Sequence, residues 1–464
     1  MSQVGTEKNP LRVAIIGAGP TGFYAAEHLF KQKGIVIEVD LYDRLPTPFG
    51  LVRGGVAPDH QKIKSVTKAY DRTAAHPRFR FYGYVEFGSD VSLEDLKKHY
   101  HQVLFSTGAQ TDRSLDVPGE GLKRSHAATE FVAWYNGHPD YRHRQFDLSV
   151  ERAAVVGVGN VAVDVARILC RTPAELAATD IADYAEEALR ASRIKEVYML
   201  GRRGPAQAAF TNPELKELGE MPGADIVVLP EEVELDPLSE KSLADDKAAA
   251  RKVEILQEYA LRRETGKPRK LVVRFLVSPE EIIGNAAGEV VAMRIVKNEL
   301  YATDNGTLRP RATDQIEELP VGLVFRSVGY QGVPLPGVPF HEKWGVIWNE
   351  KGRVIDPETK KPVAGLYAAG WIKRGPTGVI GTNKPDALET VQRMMEDLAQ
   401  GLTLHPSQAQ ASAVEKLVRE RKPNYVSWED WKRLDEIEVG KGEREGRPRL
   451  KFTTIEEMQA ALGR

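Results

Sequence analysis

The sequence predicts an α/β chain made of two doubly wound parallel-sheet domains, and three observations carry that expectation. An apolar run, Leu11–Ile16, enters the series Gly17-Ala18-Gly19-Pro20-Thr21-Gly22, and an apolar helical stretch follows from Phe23. The pattern returns about 140 residues later: residues 153–156 enter Gly157-Val158-Gly159-Asn160-Val161-Ala162 and then a helix through Leu169. No shorter repeat of the kind that marks a solenoid accompanies them. Unbroken Val/Ile runs of this length suit strands buried on both faces of a parallel sheet.

The remaining elements follow in order. A second strand over residues 35–42 ends at Asp43, and residues 116–121 form a Pro/Gly-marked connection. Pro173 opens a further helical stretch, and the strand Glu196–Leu200 ends in Gly201-Arg202-Arg203-Gly204. Residues 234–270 are polar and rich in Ala, Lys and Glu, which predicts helix and then a loop around Gly266-Lys267-Pro268. From residue 271 the alternation in LVVRFLVSP and VVAMRIVKNEL favours strands. A strand-like run over 323–328 breaks at Gly329-Tyr330-Gln331-Gly332. Residues 365–370 and 375–381, both glycine-rich, lead into a helix from about Asp386. The tail after His405 is charged and sparse in apolar periodicity, and the sequence assigns it no role.

Composition narrows the chemistry. The 464 residues carry 66 acidic and 64 basic side chains, so there is no net pull toward nucleic acid or an anionic membrane. Cys170 is the single cysteine, which excludes an internal disulfide, a redox dithiol, a cysteine-held iron–sulfur cluster and a multi-cysteine zinc site. His99-Tyr100-His101 supplies two ligand types without a third or fourth, so no metal is expected. The first residues lack the cationic and long apolar segments of a secretory signal, and no apolar stretch approaches the ~18 residues of a membrane span. A cytoplasmic chain is the expectation.

The first glycine series has the physical context of a dinucleotide site. Gly17 makes the tight turn, Gly19 lets backbone approach a pyrophosphate, and Gly22 allows close helix–strand packing. The following helix offers free N–H groups to the phosphates. Asp43, 21 positions beyond Gly22, is placed to accept hydrogen bonds from an unphosphorylated ribose, as in FAD or NAD. The second series replaces the third glycine by Ala162, which still packs on a sheet. Arg202 and Arg203 stand where an acidic residue otherwise would. Two guanidiniums bind a phosphate, which argues for NADP(H) over NAD(H). Arg202 lies 40 positions past Ala162, about twice the usual interval, so an inserted helix over 173–191 is required. Asn160 is placed either to give an amide to the pyrophosphate or to cap the helix.

Longer motifs then point to one family. Residues 45–53 (LPTPFGLVR), Val56-Ala57-Pro58-Asp59-His60, residues 157–164 (GVGNVAVD), 201–205 (GRRGP), 326–330 (RSVGY) and 370–383 (GWIKRGPTGVIGTN) occur in this order. The chain resembles the adrenodoxin-reductase-type ferredoxin–NADP+ reductases from about Leu11 to Gly401. The resemblance implies two Rossmann-like domains, with an NADP domain (113–327) inserted in a discontinuous FAD domain (1–112 and 328–464). It implies FAD near Gly17, Gly19, Thr21, Gly22, Asp43 and Leu51, with Trp371, Gly378, Val379 and Ile380 by the flavin ring and ribityl chain. It implies NADP(H) at Asn160, Val161, Ala162, Arg202, Arg203 and Glu214, and an acid–base pair of His60 and Glu214. Asp43 stands where glutamate is frequent in the family.

The implied activity is hydride transfer from NADPH to FAD, then single-electron delivery to a ferredoxin-type iron–sulfur protein. Arg262, Arg263, Lys267, Arg269 and Lys270, opposed only by Glu264, are the candidate dock for that acidic partner. An NADPH-dependent flavin monooxygenase and a non-enzymatic FAD/NADP-binding interaction protein are the alternatives. A disulfide reductase is excluded by the lone cysteine.

Overall fold

The computed structural model describes residues 3–464. Its first sheet has seven strands in the order Asn349–Glu350, Arg353–Ile355, Pro362–Ala368, Gln102–Phe105, Leu11–Ile16, Ile37–Asp43 and Phe79–Gly83. The last five run parallel, so they share one carboxyl edge. Arg353–Ile355 runs antiparallel to its neighbour on either side. Leu11–Ile16 is buried along its whole length, as its unbroken apolar sequence requires.

The second sheet has six strands, all parallel, in the order Ser125–Ala127, Leu323–Arg326, Arg152–Val156, Glu196–Leu200, Arg269–Arg274 and Ala224–Val228. A three-stranded antiparallel sheet, Val277–Gly284, Val290–Ala302 and Leu308–Leu319, lies beside it. The first sheet thus draws strands from both ends of the chain, while the second lies wholly between them. The two crossing segments pair with each other: Tyr330 opposes Asp112 and Gln331 opposes Thr111, antiparallel.

The unassigned tail folds into three helices, Ala411–Arg421, Trp428–Arg444 and Ile455–Ala461. Their apolar positions are few but correctly spaced. Trp431 and Leu434 fall on one helical face and join the core on one side of the first sheet, with Phe452, Met458 and Leu462. Capping boxes, Ser427 with Asp430 and Thr454 with Glu457, fix the starts of the last two helices. The tail also crosses to the second sheet's domain. Arg447 donates to the Thr179 carbonyl at 2.9 Å and to Asp183 at 2.5 Å, and Lys451 lies 3.4 Å from Asp180. Among the described residues no helix is long and apolar enough to cross a membrane.

Candidate functional site

Both glycine turns sit at the carboxyl edge of a parallel sheet, where such folds bind ligands. Gly17 has φ +107° and a Cβ there would lie 2.6 Å from the Ser106 carbonyl oxygen. A Cβ on Gly22 would meet the Gly17 carbonyl oxygen at 2.4 Å, whereas nothing lies within 4 Å of one on Gly19. Packing therefore demands Gly17 and Gly22, and Gly19 faces open space. The helix that follows, Pro20–Phe30, has no side-chain cap, which leaves its first N–H groups for an anion.

Asp43 braces this turn. One carboxylate oxygen accepts from the Ala18 N–H at 2.9 Å and the other from Leu45 N–H at 3.0 Å. A carboxylate offers about four acceptor positions, so capacity remains for a ribose. Burial raises the Asp43 pKa despite these two bonds. Phe49, at φ 82°, donates its N–H to the Ala18 carbonyl, and Gly50 approaches Gly19 so closely that a Cβ would stand 3.0 Å from its Cα. Leu51, partly exposed, follows directly.

The adjacent strand Pro362–Ala368 delivers Gly370, at φ +76°, onto Thr21, where a Cβ would be 2.4 Å from the hydroxyl oxygen. Trp371 comes next. Its indole donates to the Thr377 carbonyl at 3.2 Å and its ring centre is 5.4 Å from that of Tyr330. Gly378, at φ +80°, turns the chain back onto Thr382, and Val379 is 49% exposed beside half-buried Ile380. The structure thus brings Trp371 and Thr21 to one end of the site, with residues 378–380 on its open side.

The second turn repeats the geometry. Gly157 is at φ +136° with a Cβ position 2.2 Å from the Ser327 carbonyl oxygen, while Gly159 has nothing within 4 Å. Ala162 is fully buried and Val161 half-buried. Asn160 does not cap its own helix, whose cap position is Gly159; its side-chain carbonyl accepts from the Thr211 N–H at 3.0 Å. Arg202 and Arg203 leave the end of Glu196–Leu200 with no side-chain ion pair or hydrogen bond among the described residues. Burial and the neighbouring Arg202 charge lower the Arg203 pKa.

His60 sits where the two domains meet, 9% exposed. Its direct carboxylate partner is Glu217, whose Oε2 lies 2.8 Å from His60 Nε2, and not Glu214. Both glutamates belong to the helix Asn212–Gly219, one turn apart, and it is the second that reaches the His60 loop. The Glu214 Oε2 is buried without a hydrogen-bond partner. Sequence reasoning also missed Arg167. It is 1% exposed and its guanidinium meets Asp164 at 2.8 Å, Asp59 at 3.0 Å and Glu217 at 2.6 Å. The signal was there, since Asp164 and Arg167 are three apart on one helix and so share a face. Desolvation raises Asp164 to about 6; burial pulls His60 down, but the hydrogen bond its ring donates to Glu217 raises it overall.

The basic run makes contacts of its own. Arg262 donates to the Gly219 carbonyl at 2.7 Å, Lys267 to Met221 at 2.8 Å, Arg269 to Ile194 at 3.2 Å and to Arg171, and Lys270 pairs with Glu264 at 2.8 Å. Although Arg262 and Arg263 remain exposed, four of the five expected docking residues therefore have partners within the chain. They also lie at the amino edge of the second sheet, a strand length of about 20 Å from its nucleotide turn. Cys170 is buried, its pKa pushed up to about 12, which leaves it inert as a nucleophile. Of the two paired histidines, His99 meets the Gln408 carbonyl and His101 accepts from the Arg12 N–H.

Residues 11–203 match the model of the pyridine nucleotide-disulphide oxidoreductase family. The chain is 45% identical to the NADPH-ferredoxin reductase FprA of Mycobacterium leprae, over 96% of this chain and 97% of that one. It is 42% identical to the human mitochondrial NADPH:adrenodoxin oxidoreductase, over 98% of this chain and 93% of that one. The solved structure of Mycobacterium tuberculosis FprA in complex with NADPH superposes with a TM-score of 0.93 at 44% identity, covering 98% of this chain and all of that one. Two glycine turns on two parallel sheets, in a chain this similar from end to end, settle the assignment: the protein is a member of the FprA and adrenodoxin reductase family.

Proposed function

We propose that the chain oxidises NADPH where its two domains meet and passes the electrons singly to a ferredoxin-type iron–sulfur protein. The carrying observation is the pair of uncapped glycine turns, each with one glycine open to space, in a chain so close to proteins named NADPH-ferredoxin reductase. FAD, when bound, accepts a hydride and releases single electrons. The protein's own part is to bind, orient and exclude water.

Gly17, Thr21 and Gly22 shape the first turn, Gly19 gives the pyrophosphate access, and Asp43 holds the ribose. Leu51 flanks the same end, with Trp371, Gly378, Val379 and Ile380 around the flavin ring. On the second domain, Gly157, Gly159 and Ala162 shape the turn, with Asn160 and Val161 at its helix start. Arg202 and Arg203 take the 2′-phosphate. The orphaned Glu214 oxygen supports a contact with a donor group of the nucleotide, since a buried acceptor left alone costs about 1–3 kcal/mol. His60 acts as a positioning residue through Glu217 rather than with Glu214.

The paired segments Thr111–Asp112 and Tyr330–Gln331 support domain limits at 1–112, 113–327 and 328–464. This reading puts the docking face at the exposed end beside Trp371 and Val379, because the basic run 262–270 lies at the far edge of the second sheet and four of its five cations have partners within the chain. A cytoplasmic location rests on the sequence alone, and cell fractionation tests it.

An anaerobic titration with NADPH, then with ferredoxin, tests the whole reading. Flavin bleaching by NADPH followed by reoxidation on adding ferredoxin is the expected result. Bleaching that only oxygen reverses, with an oxygenated small molecule as product, would make the protein a monooxygenase. Absence of bleaching would leave only an FAD/NADP-binding interaction protein.

A further inference from the structure

We propose that Arg309, at the tip of the antiparallel arm formed by Val290–Ala302 and Leu308–Leu319, completes the phosphate site begun by Arg202 and Arg203 and so helps select NADP(H) over NAD(H). A cavity of about 510 Å³ separates the arm from the arginine turn, lined by Arg202 and Arg203 on one side and Tyr301, Leu308, Arg309 and Pro310 on the other. No carboxylate lines it. Three like charges around an aqueous cavity repel each other, and a dianionic phosphate reverses the sign of that interaction. Burial first, and then the neighbouring Arg202 charge, lower the Arg203 pKa.

The arm is fastened to the turn it faces. Asn298, buried in the arm, donates its amide to the Arg202 carbonyl at 2.9 Å and to the Ser278 hydroxyl at 2.8 Å. The Asn298 N–H reaches the Leu276 carbonyl at 2.6 Å, and Leu276 in turn donates to the Arg203 carbonyl at 3.1 Å. From that anchor the register is fixed: Leu300 opposes Pro310 and Tyr301 opposes Arg309. The neighbouring Arg311 does not line the cavity: it pairs with Glu299 at 2.5 Å and lies 5.7 Å over the Tyr301 ring. Arg309 has no ion-pair partner among the described residues. The Tyr301 ring and Leu308 give the cavity an apolar wall against which a base can rest.

This inference rests on the assignment of Arg202 and Arg203 to the 2′-phosphate, and the experiment separates the two. Calorimetry measures binding of 2′,5′-ADP and of 5′-ADP to the FAD-loaded protein and to its Arg309→Ala, Arg202→Ala and Lys297→Ala variants. The expected result for R309A is about tenfold weaker 2′,5′-ADP binding with 5′-ADP unchanged, the loss shrinking as salt rises. K297A, which removes an equal charge from the same arm away from the cavity, binds both ligands normally. Loss in R202A but not in R309A overturns the role of the arm alone. No loss in either overturns the phosphate assignment itself. An equal loss in K297A and R309A shows only a general field effect and likewise overturns the proposal.

Discussion

Two glycines of the first turn serve opposite ends, and single substitutions separate them. An added Cβ at Gly22 has no room because backbone, the Gly17 carbonyl, stands 2.4 Å away. Gly22→Ala is expected to cost about 1–3 kcal/mol of stability even without FAD, read as a lower unfolding midpoint of the apoprotein. Gly19, at φ −83°, has both the room and the backbone angle for alanine. Gly19→Ala is expected to leave apoprotein stability within about 0.5 kcal/mol of wild type. Its FAD content after dialysis falls sharply, because the methyl occupies the space a pyrophosphate needs. If G19A destabilises the apoprotein as much as G22A, the open space is structural and the turn is not a binding site. Glu214 and Glu217 divide in the same manner. Glu217→Gln is expected to shift the pH profile of hydride transfer, whereas Glu214→Gln raises the KM for NADPH without moving that profile.

At the scale of elements, the tail packs on the flavin domain, and one of its side chains reaches the nucleotide turn through Phe49. Trp431, 1% exposed, meets the Phe49 ring edge-on at 5.7 Å and carries the Arg53 guanidinium 5.3 Å over its own ring. Phe49 in turn holds the turn at Gly19. Trp431→Ala is therefore expected to cost about 3–5 kcal/mol and to lower FAD retention, checked by denaturant unfolding and flavin absorbance. This helix also marks the limit of what the sequence discloses. The glycine turns were legible because short apolar runs punctuated by glycine have few other solutions. The tail was not, since Trp431 and Leu434 stand among charges, and buried Glu438 on the same face conceals the stripe. Glu438 is tolerated there because Arg53, Arg449 and the Phe452 N–H bond to it. Residues 308–319 were equally opaque. Their few apolar residues, Leu308, Ala312, Ile316 and Leu319, keep no strict alternation, and the strand exists because Val290–Ala302 supplies its ladder. The His60 partner escaped for a third reason: a glutamate one turn further along its helix is chosen by how a distant loop approaches, and local spacing holds no trace of that.

Across the whole molecule, the contact between domains is charged and should respond to pH. Asp59 and His60 come from one domain; Asp164, Arg167, Arg171 and Glu217 come from the other. His60 has a raised folded pKa, so its contribution is complete below the unfolded value of about 6.5 and is lost as pH climbs through the folded one. Asp164 is also raised, to about 6, so the folded state loses stability as pH rises from about 3.8 toward that value. Glu217 is lowered by its bond to His60, so its contribution is present above about 4.5 and disappears as pH falls through its folded value. Because the Asp164 loss begins at about 3.8 and the Glu217 contribution is complete by about 4.5, the three together make the contact tightest near about pH 4 to 4.5 and weaker toward alkaline pH. His60→Gln keeps a hydrogen-bonding side chain of similar reach but removes the titrating proton. The difference in unfolding midpoint between wild type and His60→Gln is therefore expected to be largest near about pH 5.5 and to fall as pH approaches about 8.5. Thermal unfolding at a series of pH values reads it directly. A difference that stays constant across that range would mean His60 holds the domains together by packing alone, and that its charge has no part in joining them.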